Sequence, residues 1–98
     1  MRVTWMTKKA LHIVVHGRVQ GVGFRYFVQH IGDRIGLTGN VCNCADGTVE
    51  IVVEGAPGQV DEFLELVKKG PRMAWVERVD IQEIPPTGNF NSFQIEGW

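Results

Sequence analysis

The chain has 98 residues, enough for one domain with one modest core, and its apolar share of 44% and charged share of 21% are ordinary for a globular protein. A net charge of −1 argues against a nucleic-acid binder, which draws most of its affinity from a basic excess. The longest early apolar run, "LHIVV", is too short for a membrane span and has neither the length nor the cleavage site of a secretory signal, so a cytoplasmic protein with no membrane partner is expected.

Residues 1–9, "MRVTWMTKK", read as a flexible polar extension in which Met6 offers an alternative start, and the domain is expected over 10–98. "ALHIVV" (10–15) is β-branched and apolar and predicts the first strand. The glycine-rich stretch "GRVQGVGFRYF" (17–27) follows. From Phe24 the apolar spacing changes: Phe24, Phe27, Val28, Ile31 and Ile35 form one helical stripe, and Gly36 is a fitting stop, so the first helix is expected over 24–35.

"LTGNVCNC" (37–44) predicts a second strand, and Asp46-Gly47 signals a two-residue type I′ hairpin into a third strand over 48–54, where Val49, Ile51 and Val53 alternate. After "GAPG", Val60, Phe63, Leu64 and Val67 mark a second helix, with Asp61 and Glu62 expected in its first turn and Lys68 and Lys69 in its last, as the helix dipole favours. Gly70-Pro71 ends it. "AWVERVDIQEI" (74–84) predicts a fourth strand, and "FNSFQIEGW" (90–98) holds a short last one with Phe93 and Ile95 on one face. The order βαββαβ plus a short C-terminal strand predicts an α+β, ferredoxin-like split β-α-β sandwich, two helices on one antiparallel sheet. That fold hosts many functions and by itself decides none.

The glycine-rich stretch poses a chemical question. Arg25 opens a helix where the dipole prefers negative charge, and no acid occurs between His16 and His30. A bound anion resolves the conflict. Gly21 and Gly23 let backbone amides converge into a nest for phosphate oxygens, the helix start adds free donors, and Arg25 supplies a planar fork for two oxygens. The loop residues Arg18, Val19, Gln20, Gly21, Val22, Gly23 and Phe24 are therefore expected to cradle a phosphate or sulfate ion, with Arg18 steering from the far end. A Walker loop, G-x-x-x-x-G-K-S/T, fails because the sixth residue from Gly17 is Val22. The dinucleotide pattern G-x-G-x-x-G fails at Tyr26, and a phosphatase cysteine six residues before the arginine fails at Val19. The loop grips phosphate without offering a nucleophile.

Cys42 and Cys44, as i and i+2 on a strand, lie about 6–7 Å apart along it, poor geometry for a disulfide, and two lone cysteines do not close a zinc site. Reduced, part-buried thiols are expected. His12 and His16 lie about 13 Å apart on a strand, too far to share an ion, and His30 falls on the exposed side of the first helix. No metal or other cofactor is expected. Trp75 and Trp98 read as packing residues. The third strand has no aromatic for stacking bases, so RNA binding on this fold is disfavoured.

"GRVQGVGFR", "GLTGNVCN", "DGTVEI" and "GPRMAWVERV" together resemble the acylphosphatase family over about residues 10–96. The resemblance implies hydrolysis of an acyl phosphate, free or on a protein, to carboxylate and inorganic phosphate, without metal or covalent intermediate, by an enzyme expected to be a monomer. It assigns phosphate binding to Arg25 and the loop amides, and orientation of the attacking water to Asn43. Many relatives carry lysine at Cys42 and threonine or serine at Cys44. The alternative is a binding module of the kind that opens larger hydrogenase-maturation proteins, where carbamoyl phosphate is the relevant ligand.

Overall fold

The computed structural model describes residues 7–97. The elements, in chain order, are β1 (Lys9–Arg18), α1 (Phe24–Ile35), β2 (Thr38–Asn43), β3 (Val49–Gly55), α2 (Pro57–Lys69), β4 (Trp75–Ile84) and β5 (Phe93–Ile95). They form one sheet of order β4-β1-β3-β2-β5. The four long strands pair antiparallel, and β5 adds to β2 in parallel, so the ferredoxin-like sheet is mixed rather than purely antiparallel.

Alternation decides which face of the sheet meets the helices. Leu11, Ile13 and Val15 of β1, Val41 of β2, and Val49, Ile51 and Val53 of β3 all point into one buried layer. The helices close that layer with their apolar stripes: Phe24, Val28 and Ile31 from α1, and Val60, Phe63 and Val67 from α2. The α1 bounds match the spacing read from the sequence. Phe93 of β5 tilts against Phe63 with centroids 5.5 Å apart. It also fills the space beside Gly32 so closely that a Cβ there would lie 2.4 Å from its ring. The short C-terminal strand is thus wedged under α1.

Several local expectations are corrected. β1 runs on through Arg18, with a register shift between His16 and Gly17, so Gly17 and Arg18 pair with Val76 and Trp75 and are not part of a free loop. The β2–β3 connection is not a type I′ turn. Only Gly47 has positive φ, and the amides of Gly47 and Thr48 turn back onto Cys44 O and Asp46 Oδ1, giving a three-residue loop closed by a glycine. α2 begins at Pro57, whose fixed φ suits the first helical position. Asp61 and Glu62 therefore fall beyond its first turn, which holds no acid. Trp75 is 67% exposed and does not pack. Met6 and Trp98 lie outside the described residues. Lys9, assigned to the extension from sequence, opens β1 and bridges Asp61 of α2 at 2.9 Å.

One buried charge ties down a connection that has no secondary structure of its own. Glu54 is 2% exposed, and its carboxylate accepts from the Thr87 amide and hydroxyl and the Gly88 amide, each at 2.9 Å. Burial alone would raise its pKa, but those three hydrogen bonds and the nearby charge of Lys8 outweigh it and hold the carboxyl below 4.5. A depressed folded pKa contributes stability above the unfolded value, and that contribution is lost as pH falls through the folded one. Glu54→Gln should therefore cost about 2 kcal/mol at neutral pH. In urea titrations, its deficit relative to the parent protein should shrink as the pH is lowered below 4.5.

Candidate active site

The segment between β1 and α1 is short and held at both ends. Val19 and Phe24 are each 1% exposed, with their side chains in the core. Burying a side chain of the size of Phe24 contributes about 1.5–3 kcal/mol, so the loop is anchored at both ends. Between these anchors the backbone alternates in hand: Gly21 and Gly23 have φ of 73° and 77°, and Val22 between them does not have positive φ. A Cβ at either glycine would meet nothing within 4 Å. The requirement for glycine is conformational rather than steric. Alternation of this kind turns successive amides toward one point.

Gly23 is also the N-cap of α1. It supplies no side-chain hydrogen bond, and the first turn holds no acid, so the leading amides of the helix have no side-chain cap. Both helices lack acids in their first turn, so the distinctive feature of α1 is not a missing acid. It is the arginine at the second position of a helix that follows a glycine nest.

Gln20 contributes differently from the role expected of it. Its amide nitrogen donates to Cys44 O at 2.8 Å and to Thr48 O at 2.9 Å, so the side chain is turned to the β2–β3 turn. That pair of bonds couples the loop to the strand end that carries Asn43. Nothing in the sequence signals it, because the acceptors are backbone carbonyls two dozen or more residues away.

A cleft of about 190 Å³ opens over the loop, lined by Val19, Gly21, Gly23, Phe24, Arg25, Tyr26 and Asn43. Arg25 and Asn43, far apart in sequence, thus share one cavity with the loop glycines. Arg18, Gln20 and Val22 do not line it: Arg18 is exposed on β1, Gln20 is turned to the neighbouring turn, and Val22 packs against the core. Tyr26, 70% exposed at the mouth, was not singled out from sequence. Its only signal is that it stands off the apolar stripe of α1. Asn43 ends β2, paired with Val49, and its Oδ1 is buried with no hydrogen-bond partner among the described residues. Buried acceptors are rarely left unsatisfied.

On the opposite face of the sheet, Cys42 and Cys44 are free and half-buried, as expected. Burial first, and the charge of Glu50 second, push the Cys42 thiol up. His12 and His16 are each engaged by a carboxylate, Glu50 at 2.7 Å and Asp80 at 2.8 Å, and His30 is exposed.

The sequence model of the acylphosphatase family matches residues 11–95. An acylphosphatase of Koribacter versatilis is 43% identical over 93% of this chain and 83% of its own length. The crystal structure of the Bacillus subtilis acylphosphatase superposes with a TM-score of 0.87 at 40% identity, over 91% of this chain and 99% of that one. HypF from T. kodakarensis contains a similar region, with 44% identity and a TM-score of 0.79 over 91% of this chain but only 12% of the larger protein. Among the described residues no helix is long and apolar enough to cross a membrane. With a glycine nest, an arginine and an asparagine in one cleft, and a family match over nearly its whole length, the chain belongs to the acylphosphatase family, enzymes that hydrolyse acyl phosphates.

Proposed function

We propose that the cleft performs acyl phosphate hydrolysis with Arg25 and the loop amides holding the phosphoryl group and Asn43 positioning the attacking water. The observation that carries this reading is the buried, unpartnered Oδ1 of Asn43 in the same cavity as Arg25 and the positive-φ glycines. An asparagine amide accepts at oxygen and donates at nitrogen. With Oδ1 accepting one proton of a water, the lone pair of that water is directed at phosphorus. The bond to the acyl oxygen breaks as the new P–O bond forms, and the carboxylate departs with the electron pair. The remaining proton of the water passes to a phosphoryl oxygen of the substrate.

No general acid is needed, because a carboxylate is a stable leaving group. The transition state is loose, and its charge lies on the equatorial oxygens, so positioning and fixed donors supply the catalysis. The loop provides those donors without reorganisation, since Val19 and Phe24 fix its ends. This chemistry calls for neither a metal nor a covalent intermediate. Val19, Gly21, Gly23 and Phe24 shape the phosphate site; Arg18 acts from outside it. We place the enzyme in the cytoplasm as a monomer acting on a small acyl phosphate or an acyl-phosphorylated protein. A second reading, a module that handles carbamoyl phosphate without turning it over, is favoured by the likeness to part of HypF; release of phosphate from a single acyl phosphate decides against it.

Arg25→Ala and Asn43→Ala should each lower phosphate release from benzoyl phosphate at least ~100-fold, measured with chelator present and with circular dichroism unchanged. Retention of full rates by either variant overturns its assigned role. Inorganic phosphate should inhibit competitively. At about a hundred times its dissociation constant it should stabilise the fold by about 2.7 kcal/mol, read as a rise in Tm. Gly23→Ala should cost about 1–2 kcal/mol, because an L-residue resists positive φ, and should weaken phosphate inhibition. Gly58→Ala, in α2 with open space around it, serves as the control that leaves inhibition unchanged.

A further inference from the structure

The face of the sheet away from the helices carries a second cluster that the phosphate cleft does not use. Side chains alternate along β2, so Cys42 points away from the core that Val41 enters. Cys44 follows two residues later. Glu50, directly across from Cys42 in the β2–β3 register, completes the group. One ligand atom from each of Cys42, Cys44 and Glu50 lies within 4.8 Å of the other two. Cys42 Sγ is 3.7 Å from Glu50 Oε1. Two ligands on one tetrahedral zinc ion, sulfur at about 2.3 Å and oxygen at about 2.0 Å, stand about 3.5 Å apart. The first pair is therefore already at the spacing of a shared ion, and small rotations of the half-buried side chains close the rest.

Two further features suit a metal site. The other carboxylate oxygen of Glu50 is held by His12 Nε2 at 2.7 Å, the outer hydrogen bond that ligating carboxylates ordinarily have. The hairpin between the cysteines and Glu50 is closed by Cys44 N–H donating to Thr48 O at 2.9 Å, so the ligands are borne by a stiff frame. A thiol donating to a carboxylate accounts for Cys42 alone. It does not use Cys44, whose sulfur lies within 4.8 Å of the other two ligand atoms. From the sequence, two cysteines were too few for a closed site; the third ligand comes from the facing strand, which only the register reveals.

We propose that Cys42, Cys44 and Glu50 form a binding site for a thiophilic divalent cation of the zinc type, with His12 orienting the carboxylate and a solvent molecule as the fourth ligand. Binding forms two metal–sulfur bonds and one metal–oxygen bond, and both thiol protons pass to buffer. Asn43 lies between the two sulfur ligands in the chain but faces the other side of the sheet, so this site is separate from the phosphate cleft and stands or falls independently of it.

The test uses the full-length, reduced protein in phosphate-free buffer, titrated with Cd(II) and separately with Co(II). The expected result is saturation at one equivalent, an ultraviolet thiolate-to-cadmium charge-transfer band, and visible cobalt bands of tetrahedral intensity. Cys42→Ser and Cys44→Ser should each reduce the cadmium band by about half and weaken binding at least ~10-fold; Glu50→Gln should keep the band but weaken binding about 10-fold; His12→Ala should weaken it less. Circular dichroism checks that each variant is folded. Absence of the band in the parent protein, or its persistence in a folded Cys42→Ser/Cys44→Ser double variant, overturns the site. Unchanged affinity in Glu50→Gln overturns the three-ligand assignment.

Discussion

The site depends on one constraint: a five-residue connection must leave a strand, reverse its hand twice, and enter a helix. Val19 and Phe24 make this possible by burying their side chains at either end of the loop. Gly21 and Gly23 supply the positive φ values that an L-residue resists. Amides held in this way cannot relax toward a neutral arrangement when no anion is present. The ordering cost of the loop is met during folding by the burial of Val19 and Phe24.

The sheet then does what the loop alone cannot. Order β4-β1-β3-β2 places the end of β2 near the start of α1, so Asn43 reaches the loop from a separate element. Gln20 holds the two together through the carbonyls of Cys44 and Thr48. In the proposed mechanism that brace keeps the phosphoryl group at the loop and the water at Asn43 in fixed relation, which is where intramolecular positioning gains most of its rate. The same alternation that aims Asn43 into the cleft sends Cys42 to the opposite face. One short strand therefore serves two chemically distinct surfaces.

Much of this was legible in the residues. The 3.6-residue spacing of Phe24, Phe27, Val28, Ile31 and Ile35 fixed α1 to its observed bounds, because a single apolar stripe followed by glycine has few other readings. The alternation of Val49, Ile51 and Val53 marked β3, expected over 48–54 and found at Val49–Gly55. Local geometry was less legible. The Asp46-Gly47 pair signals a tight turn but not which one: an αL glycine serves a type I turn with a bulge as well as a type I′ turn. The run of β1 through Gly17 and Arg18 depends on pairing with β4, some sixty residues on. Trp75, apolar by composition, lies exposed on the edge strand β4, where Val76 and Val79 pack against the core instead.

By itself the sequence determined the element order, the fold and the family signature, and it pointed to Arg25 and Asn43, which the structure brings into one cleft. The element order and the fold follow from spacing along the chain, where neighbouring residues decide the outcome; Asn43 stands out only through the family resemblance. Only the tertiary structure decided which loop residues reach the cleft, that Tyr26 stands at its mouth, that Gln20 serves as a brace, and that Glu50, held by His12, meets the cysteines. Those facts follow from strand register and crossover, which bring together residues tens of positions apart, and no local pattern encodes a contact of that range.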